Sequence, residues 1–190
     1  YDLLLKSYDA LPDKEKIMLI APQYKEKIYS EAKNHPVLSE TKNIIWKKRD
    51  FLITSGSLIR TEAFASAGFF EEKLFIDKVD LDFCFKLRKK GYECKLARNI
   101  NFLHELGKPV YKLFFKIANL SPERRYYSSK NSIYVIRQYF TFTPFNTSFI
   151  LLKSSILFAP LKILFFEKQK LIKIKNIYKG LFDGLLNRHQ

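Results

Sequence analysis

The strongest constraint on this chain lies in residues 108–190, which are basic and apolar at once. They carry 15 Lys and Arg against 3 Asp and Glu, a net of +12, and are dense in Leu, Ile and Phe. Residues 1–107 hold 19 basic and 16 acidic residues, a net of +3, the mixed balance of an ordinary globular domain. A nucleic-acid binder shows a basic patch with polar spacers or a recognisable fold signature. Here cations alternate with aliphatic and aromatic residues, which favours an anionic membrane surface and argues against nucleic acid.

Two segments express this pattern. Phe149 to Phe166 is almost wholly apolar and close to the ~20 residues that a membrane span needs. Lys153 and Lys162 lie inside it, and Pro160 is expected to break or kink it, so an in-plane, peripheral segment is predicted in place of a span. Further on, Leu171, Ile174, Tyr178, Leu181, Phe182 and Leu185 follow helical spacing, with Lys168, Lys170, Lys173, Lys175 and Lys179 largely off that stripe. This is a basic amphipathic helix, whose apolar stripe faces either a membrane or its own domain.

The rest of the chain alternates short strands and helices. Asp2 to Leu11 reads as the end of a helix and Ile17 to Pro22 as a buried strand. Residues 23–50 lack a clean period and read as loop with short elements. Phe51 to Arg60 is rich in β-formers around Ser55-Gly56-Ser57. Thr61 is a candidate cap for a helix over 62–67 that Gly68 ends, and 69–78 is a loop. Val79 to Lys90 has helical spacing and stops at Gly91; Tyr92 to Ala97 and Ile100 to Leu103 read as short extended segments. Ser121-Pro122-Glu123 is a strong helix start, with a capping hydroxyl, proline at the first position and an acid in the first turn; that helix should run to about Phe140.

The chemistry-bearing stretch is Thr54 to Gly107. Asp80 and Asp82 open a helix, where the dipole favours negative charge. Two residues apart, they do not share a face, so one can point into a site while the other serves the helix. His104 follows an apolar stretch; a neutral imidazole suits Mn²⁺ better than Mg²⁺. Two cysteines, Cys84 and Cys94, fit reduced and buried positions in a reducing compartment, with no zinc spacing. No phosphate-binding P-loop and no G-x-G-x-x-G is present.

The run TSGSLIRTEAFASAGFFEEKLFIDKVDLDFCFKLRKKGY, followed by NFLHELG and by YYSSKNSIYVIRQY, resembles the family 2 glycosyltransferases, and within them the rhamnosyltransferase-like branch. The resemblance implies an α/β chain: the C-terminal, acceptor-side part of a GT-A fold over 1–118, with a helical, basic amphipathic region appended over 119–190. The chain opens on Tyr1, and no D-x-D stands where the nucleotide-binding half of such a fold ends, so the expectation is a chain that begins just after that half. Asp80 then matches the base of an inverting transfer, and Asp82 a supporting acid on the acceptor side. Lys86 stands where the family often has arginine and lacks the bidentate fork of one. Ser55, Gly56 and Ser57 match the loop beneath the donor sugar. His104 matches the histidine that completes coordination of a divalent metal, Mn²⁺ or Mg²⁺, with its other ligands in the missing D-x-D. Phe70 replaces the usual aspartate of G-F-D-E, and Asp77 is a loop acid.

Two functional classes follow. In one, the chain transfers a sugar from a nucleotide-sugar donor, dTDP-rhamnose or a UDP-sugar, to a lipid-linked saccharide acceptor in bacterial surface polysaccharide synthesis. Its place would be peripheral, on the cytoplasmic face of the inner membrane. In the other, it is a non-catalytic membrane-binding remnant of a truncated transferase.

Overall fold

The computed structural model describes residues 2–26, 43–104, 110–112, 115–117, 119–142 and 145–187. The chain divides into two compact units: residues 1–70 with 80–106, and residues 71–79 with 107–190.

The first unit is built on a four-stranded mixed sheet with helices. Its elements are α1 (Asp2–Asp9), β1 (Ile17–Glu26), β2 (Trp46–Arg49), β3 (Leu58–Ile59), α2 (Thr61–Ala67), α3 (Val79–Lys89) and β4 (Glu93–His104). The strand order is β2-β4-β1-β3. The central pair β1 and β4 is parallel, and the flanking strands pair antiparallel to it. Ile17 to Ala21 is buried on both faces, as expected of an inner strand that reads as a continuous apolar run. Met18, Leu19 and Ala21 pack with Phe83, Cys84 and Leu87 of α3, while Ile17 and Ile20 pack with Leu4 of α1.

Several boundaries differ from the sequence expectation. β1 does not stop at Pro22. It continues to Glu26 through a register shift at Pro22/Gln23, where proline brings no N–H to the ladder. The two extended segments after Gly91 are one strand, β4, whose residues 98–100 are skipped by that same shift. Part of the expected loop over 23–50 is strand, since Trp46–Arg49 pairs with Cys94–Ala97; residues 27–42 lie outside the described residues. Only Leu58 and Ile59 of the expected 51–60 strand pair. Arg60, not Thr61, is the N-cap of α2, with no side-chain cap bond, while Gly68 closes that helix as expected. Both cysteines are free and buried, and the adjacent Cys84 sulfur and burial push the Cys94 thiol up.

The second unit is helical, with one small hairpin of β5 (Val110–Lys112) and β6 (Phe115–Ile117). Its helices are α4 (Pro122–Tyr139), α5 (Phe145–Leu152), α6 (Phe158–Phe166) and α7 (Lys170–Leu185). Ser121 caps α4 by accepting from the Arg124 N–H at 3.2 Å, with Pro122 at the first turn, as its sequence requires.

Pro160 does not break the apolar segment. A π-helical turn at Lys153–Leu157 joins α5 to α6, with the Phe158 N–H bonded to the Lys153 carbonyl five residues back. Such a turn lets the helix run on where the 3.6-residue ladder is disturbed. Thr147–Phe166 is thereby a helix of 20 residues, long and apolar enough to cross a membrane by length and composition.

Helix α7 divides the apolar stripe read from the sequence. Leu171, Tyr178, Phe182 and Leu185 are exposed, while Ile174 packs on the core of Ala159, Ile163 and Ile177. Gly180 and Gly184 also face the unit, together with Lys173 and Asp183. A Cβ on Gly180 would stand 2.3 Å from the Tyr126 carbonyl oxygen, and one on Gly184 2.9 Å from the Lys130 carbonyl oxygen. The G-x-x-x-G spacing of Gly180 and Gly184 thus seats α7 on the backbone of α4. Polar contacts lock this seam. The Tyr126 hydroxyl donates to Asp183 Oδ2 at 2.9 Å, and Arg137 donates to the carbonyls of Gly184 and Leu185 at the end of α7. Burial and the Asp183 carboxylate push the Tyr126 phenol up to about 12. At the α6–α7 turn, buried Glu167 accepts from both Arg125 and Lys173.

Gly180→Ala is expected to destabilise the protein by about 1–3 kcal/mol through overpacking, read as a lower urea midpoint. Exposed Lys175→Ala is the control and should leave the midpoint unmoved. Equal midpoints for both variants would show that the two helices do not meet at this glycine.

Candidate active site

In the first unit, Ile53 to Ser57 forms a tight turn between the buried Leu52 and β3. The Ser57 N–H bonds the Thr54 carbonyl at 3.0 Å, and Gly56 takes φ +74°. A third turn residue with positive φ calls for glycine. A Cβ there would also stand 3.0 Å from the Phe102 ring, a contact that the ring would have to yield to. The Ser57 hydroxyl donates to the Ile53 carbonyl and closes the turn on itself.

This turn presents Thr54 to helix α3. The Thr54 hydroxyl donates to Asp80 Oδ1 at 2.6 Å, and Asp80, partly buried, is the second residue of α3. The carboxylate therefore has one oxygen fixed by a side chain at the N-terminal end of a helix. Thr54 belongs to the run that carries the family resemblance, yet its partner is 26 residues away, so nothing local in the sequence announces the bond.

Asp82 is placed differently. It is fully buried and forms an ion pair with Lys86, one turn on, at 3.1 Å. Lys86 also donates to the Phe69 carbonyl at 3.2 Å. Residues i and i+4 on a helix are natural partners, and here the pair ties α3 to the chain just after α2. The structure thus brings Thr54 and Asp80 together, and Asp82 and Lys86 together, as two separate pairs. Ser55, Gly56 and Ser57 sit on the Thr54 turn. His104 ends β4 through its backbone, paired with Glu26; its side chain lies outside the described residues.

Beside the Thr54 turn lies a cavity of about 360 Å³, lined among others by Pro22, Tyr24, Lys48, Arg49 and Ile53. Among the described residues, no three His, Cys, Asp or Glu side chains gather as a metal site, so these residues by themselves do not form a full coordination sphere.

In the second unit, the loop leading to α3 is held in an unusual conformation. Phe75, Asp77 and Lys78 all have positive φ, at 51°, 64° and 68°. Such backbone is costly for non-glycine residues and persists where its surroundings over-determine it. The side-chain amide of buried Asn131, on α4, supplies that restraint. Its Nδ2 lies 2.6 Å from the Leu74 carbonyl oxygen, 2.8 Å from that of Ile76 and 3.0 Å from that of Asp77. Arg124 adds a two-nitrogen contact to the Asp77 carboxylate. Asp77, a loop acid of no stated role in the sequence, is thus the anchor of its loop. Asn131 is the asparagine of the YYSSKN motif; the motif signals its place, and only the fold shows what it holds.

Set against known proteins, the chain matches no family model and no solved structure. It is 32% identical over 92 residues to a dTDP-rhamnosyl transferase, RfbF, of Shigella flexneri. That stretch is 48% of this chain and 31% of the relative, so the chain spans under a third of that protein's length. The likeness supports a relationship to a glycosyltransferase, whose chemistry in general takes a nucleotide-sugar donor and a sugar acceptor.

Asn131→Ala is expected to cost about 1–3 kcal/mol, because it strips the carbonyls of Leu74, Ile76 and Asp77 of a shared buried donor. Hydrogen exchange checks it locally, with faster exchange over residues 72–79 than in the parent protein. Unchanged exchange there would show that the amide does not hold the loop.

Proposed function

We propose that this chain is the acceptor-side part of an inverting glycosyltransferase, with Asp80 as its general base. The observation that carries the reading is the Thr54–Asp80 bond at 2.6 Å, which fixes a carboxylate at the head of α3 within the region that resembles family 2 enzymes. The likeness to a rhamnosyltransferase adds support and makes dTDP-rhamnose the first donor to try, ahead of a UDP-sugar.

In the proposed reaction, the free oxygen of Asp80 accepts the proton of an acceptor hydroxyl. The acceptor oxygen forms a bond to the anomeric carbon from the face opposite the nucleotide. The bond from that carbon to the diphosphate oxygen breaks, and the nucleoside diphosphate leaves with the electron pair. Thr54 holds one carboxylate oxygen and leaves the other for the acceptor hydroxyl in this reading; it is a positioning residue. The Ser55-Gly56-Ser57 turn keeps backbone, not side chain, at the closest approach. Asp82 and Lys86 neutralise each other, so they shape α3 without adding net charge. A divalent metal, with His104 as one ligand, would need further ligands from residues other than the described ones. The acceptor in this reading is a lipid-linked saccharide met at the cytoplasmic face of a bacterial inner membrane.

Asp80→Asn keeps the shape and removes the base. Transfer from dTDP-rhamnose by the protein in its full natural length should fall by ~10²–10⁴-fold in kcat with circular dichroism unchanged. Full activity in this variant would end the assignment of Asp80. Thr54→Val should cost less, about tenfold in kcat with KM for the donor held, in line with one lost charge-assisted hydrogen bond. Equal rates for Thr54→Val and the parent would show that the hydroxyl positions nothing.

A further inference from the structure

We infer that the second unit docks in the plane of an anionic lipid bilayer, through the outward faces of α5–α6 and α7, without crossing it. This stands on the composition and packing of that unit and does not depend on the transferase reading.

The first observation is the inversion of α7. A surface helix of a water-soluble domain turns its apolar stripe inward. Helix α7 instead turns Gly180 and Gly184 inward, and Leu171, Tyr178, Phe182 and Leu185 stand exposed, Leu171 at 84% and Phe182 at 63%. Lys175 and Lys179 are exposed beside them. Of the stripe, Ile174 packs on Ile177, Ala159 and Ile163, and the glycine seam leaves Leu171, Tyr178, Phe182 and Leu185 outside.

The second is the outward face of α5–α6. Its inner stripe of Leu151, Ile156, Ala159 and Ile163 is buried. Its outer stripe, where water-facing helices carry charge, holds Ile150, Leu157, Phe158, Leu161, Leu164 and Phe165, all exposed. Lys153 lies on this face with its ammonium 5.0 Å from the Phe158 ring centre and 5.9 Å from that of Phe149. A flexible lysine among exposed aromatic and aliphatic neighbours can lay its stem along hydrocarbon and reach headgroups with its charge. The turn to α7 then presents Phe165, Leu171 and Ile172 together with Lys168 and Lys170.

Charge selects the occupant. Residues 108–190 carry a net of +12, so a second copy of the same face would set lysine against lysine. An anionic bilayer offers hydrocarbon for the apolar stripe and headgroups for the lysines, which is how in-plane amphipathic helices bind. A span is disfavoured by the inner stripe itself. Ser155 shares a hydrogen bond with Ser132 of α4, a helix that carries Arg124, Arg125, Lys130 and Arg137, and crossing would draw that helix into hydrocarbon.

The test is co-sedimentation of the full chain, without sugar nucleotide, with vesicles of phosphatidylcholine mixed with phosphatidylglycerol and with vesicles of phosphatidylcholine alone. Binding is expected to the mixed vesicles and not to the neutral ones, and alkaline carbonate should release the protein. Because the altered side chains are exposed, Leu161→Ser with Phe165→Ser, and Lys162→Gln with Lys168→Gln and Lys170→Gln, should leave the circular dichroism and melting temperature unchanged. The lysine variant should bind on the order of a hundredfold more weakly, three lysines at about 1 kcal/mol each. The apolar double variant and Phe182→Ser should each lose most of the binding. Equal binding to neutral vesicles, no binding to mixed ones, or insensitivity to these variants would overturn the inference. So would resistance to carbonate, which marks a span. A dimer in sedimentation velocity that Leu161→Ser with Phe165→Ser dissociates would assign the face to a second copy instead. Loss of vesicle binding with sugar transfer intact would sink this inference and leave the transferase reading standing.

Discussion

The close approach of α7 to α4 sets much of what is distinctive here. Two glycines one turn apart bring the helices so near that the Tyr126 carbonyl oxygen occupies the space of a side chain on Gly180. Such contact gains dispersion energy along a whole seam while burying little side-chain area. Its consequence is rotational. With residues 173, 177, 180 and 184 turned inward, Leu171, Tyr178, Phe182 and Leu185 are turned out. The buried Glu167 with Arg125 and Lys173, and Arg137 on the last carbonyls of α7, hold that rotation at both ends.

The first unit solves a different problem. Its inner strand β1 is buried on both faces over Ile17–Ala21, and Cys94, Leu96 and Ala97 of β4 are buried beside it, so the residues there are apolar and Asp80 stands at a helix end. One hydroxyl from a glycine turn fixes its carboxylate, and a buried Asp82–Lys86 pair fixes the next turn of the same helix. The two acids read alike in the sequence and differ in role because a helix sends residues two apart to different sides.

Much of this was legible beforehand. The Ser121-Pro122 start of α4, the helical period of α3 and the apolar run of β1 rest on local rules, and each is where those rules put it. Boundaries were less legible. Pro22 looked like a stop and is a register shift, because a parallel partner accommodates one missing donor by skipping residues. Pro160 looked like a break and is absorbed by a π turn upstream. Thr54 and Asn131 were within quoted motifs, but their partners lie 26 and more than 50 residues away.

The sequence by itself determined the segregation of charge, the identity and order of most elements, and the placing of Asp80 and Asp82 at the head of a helix. These depend on composition, on 3.6- and 2-residue periods, and on caps, all short-range properties of a chain. Tertiary structure decided which acid is bound to Thr54 and which to Lys86, what Asn131 restrains, and which way α7 faces. Amphipathic periodicity locates a stripe but does not say what it meets. Most of the stripe ended outside because a backbone-to-backbone glycine seam between segments some 50 residues apart claimed the opposite face of the helix.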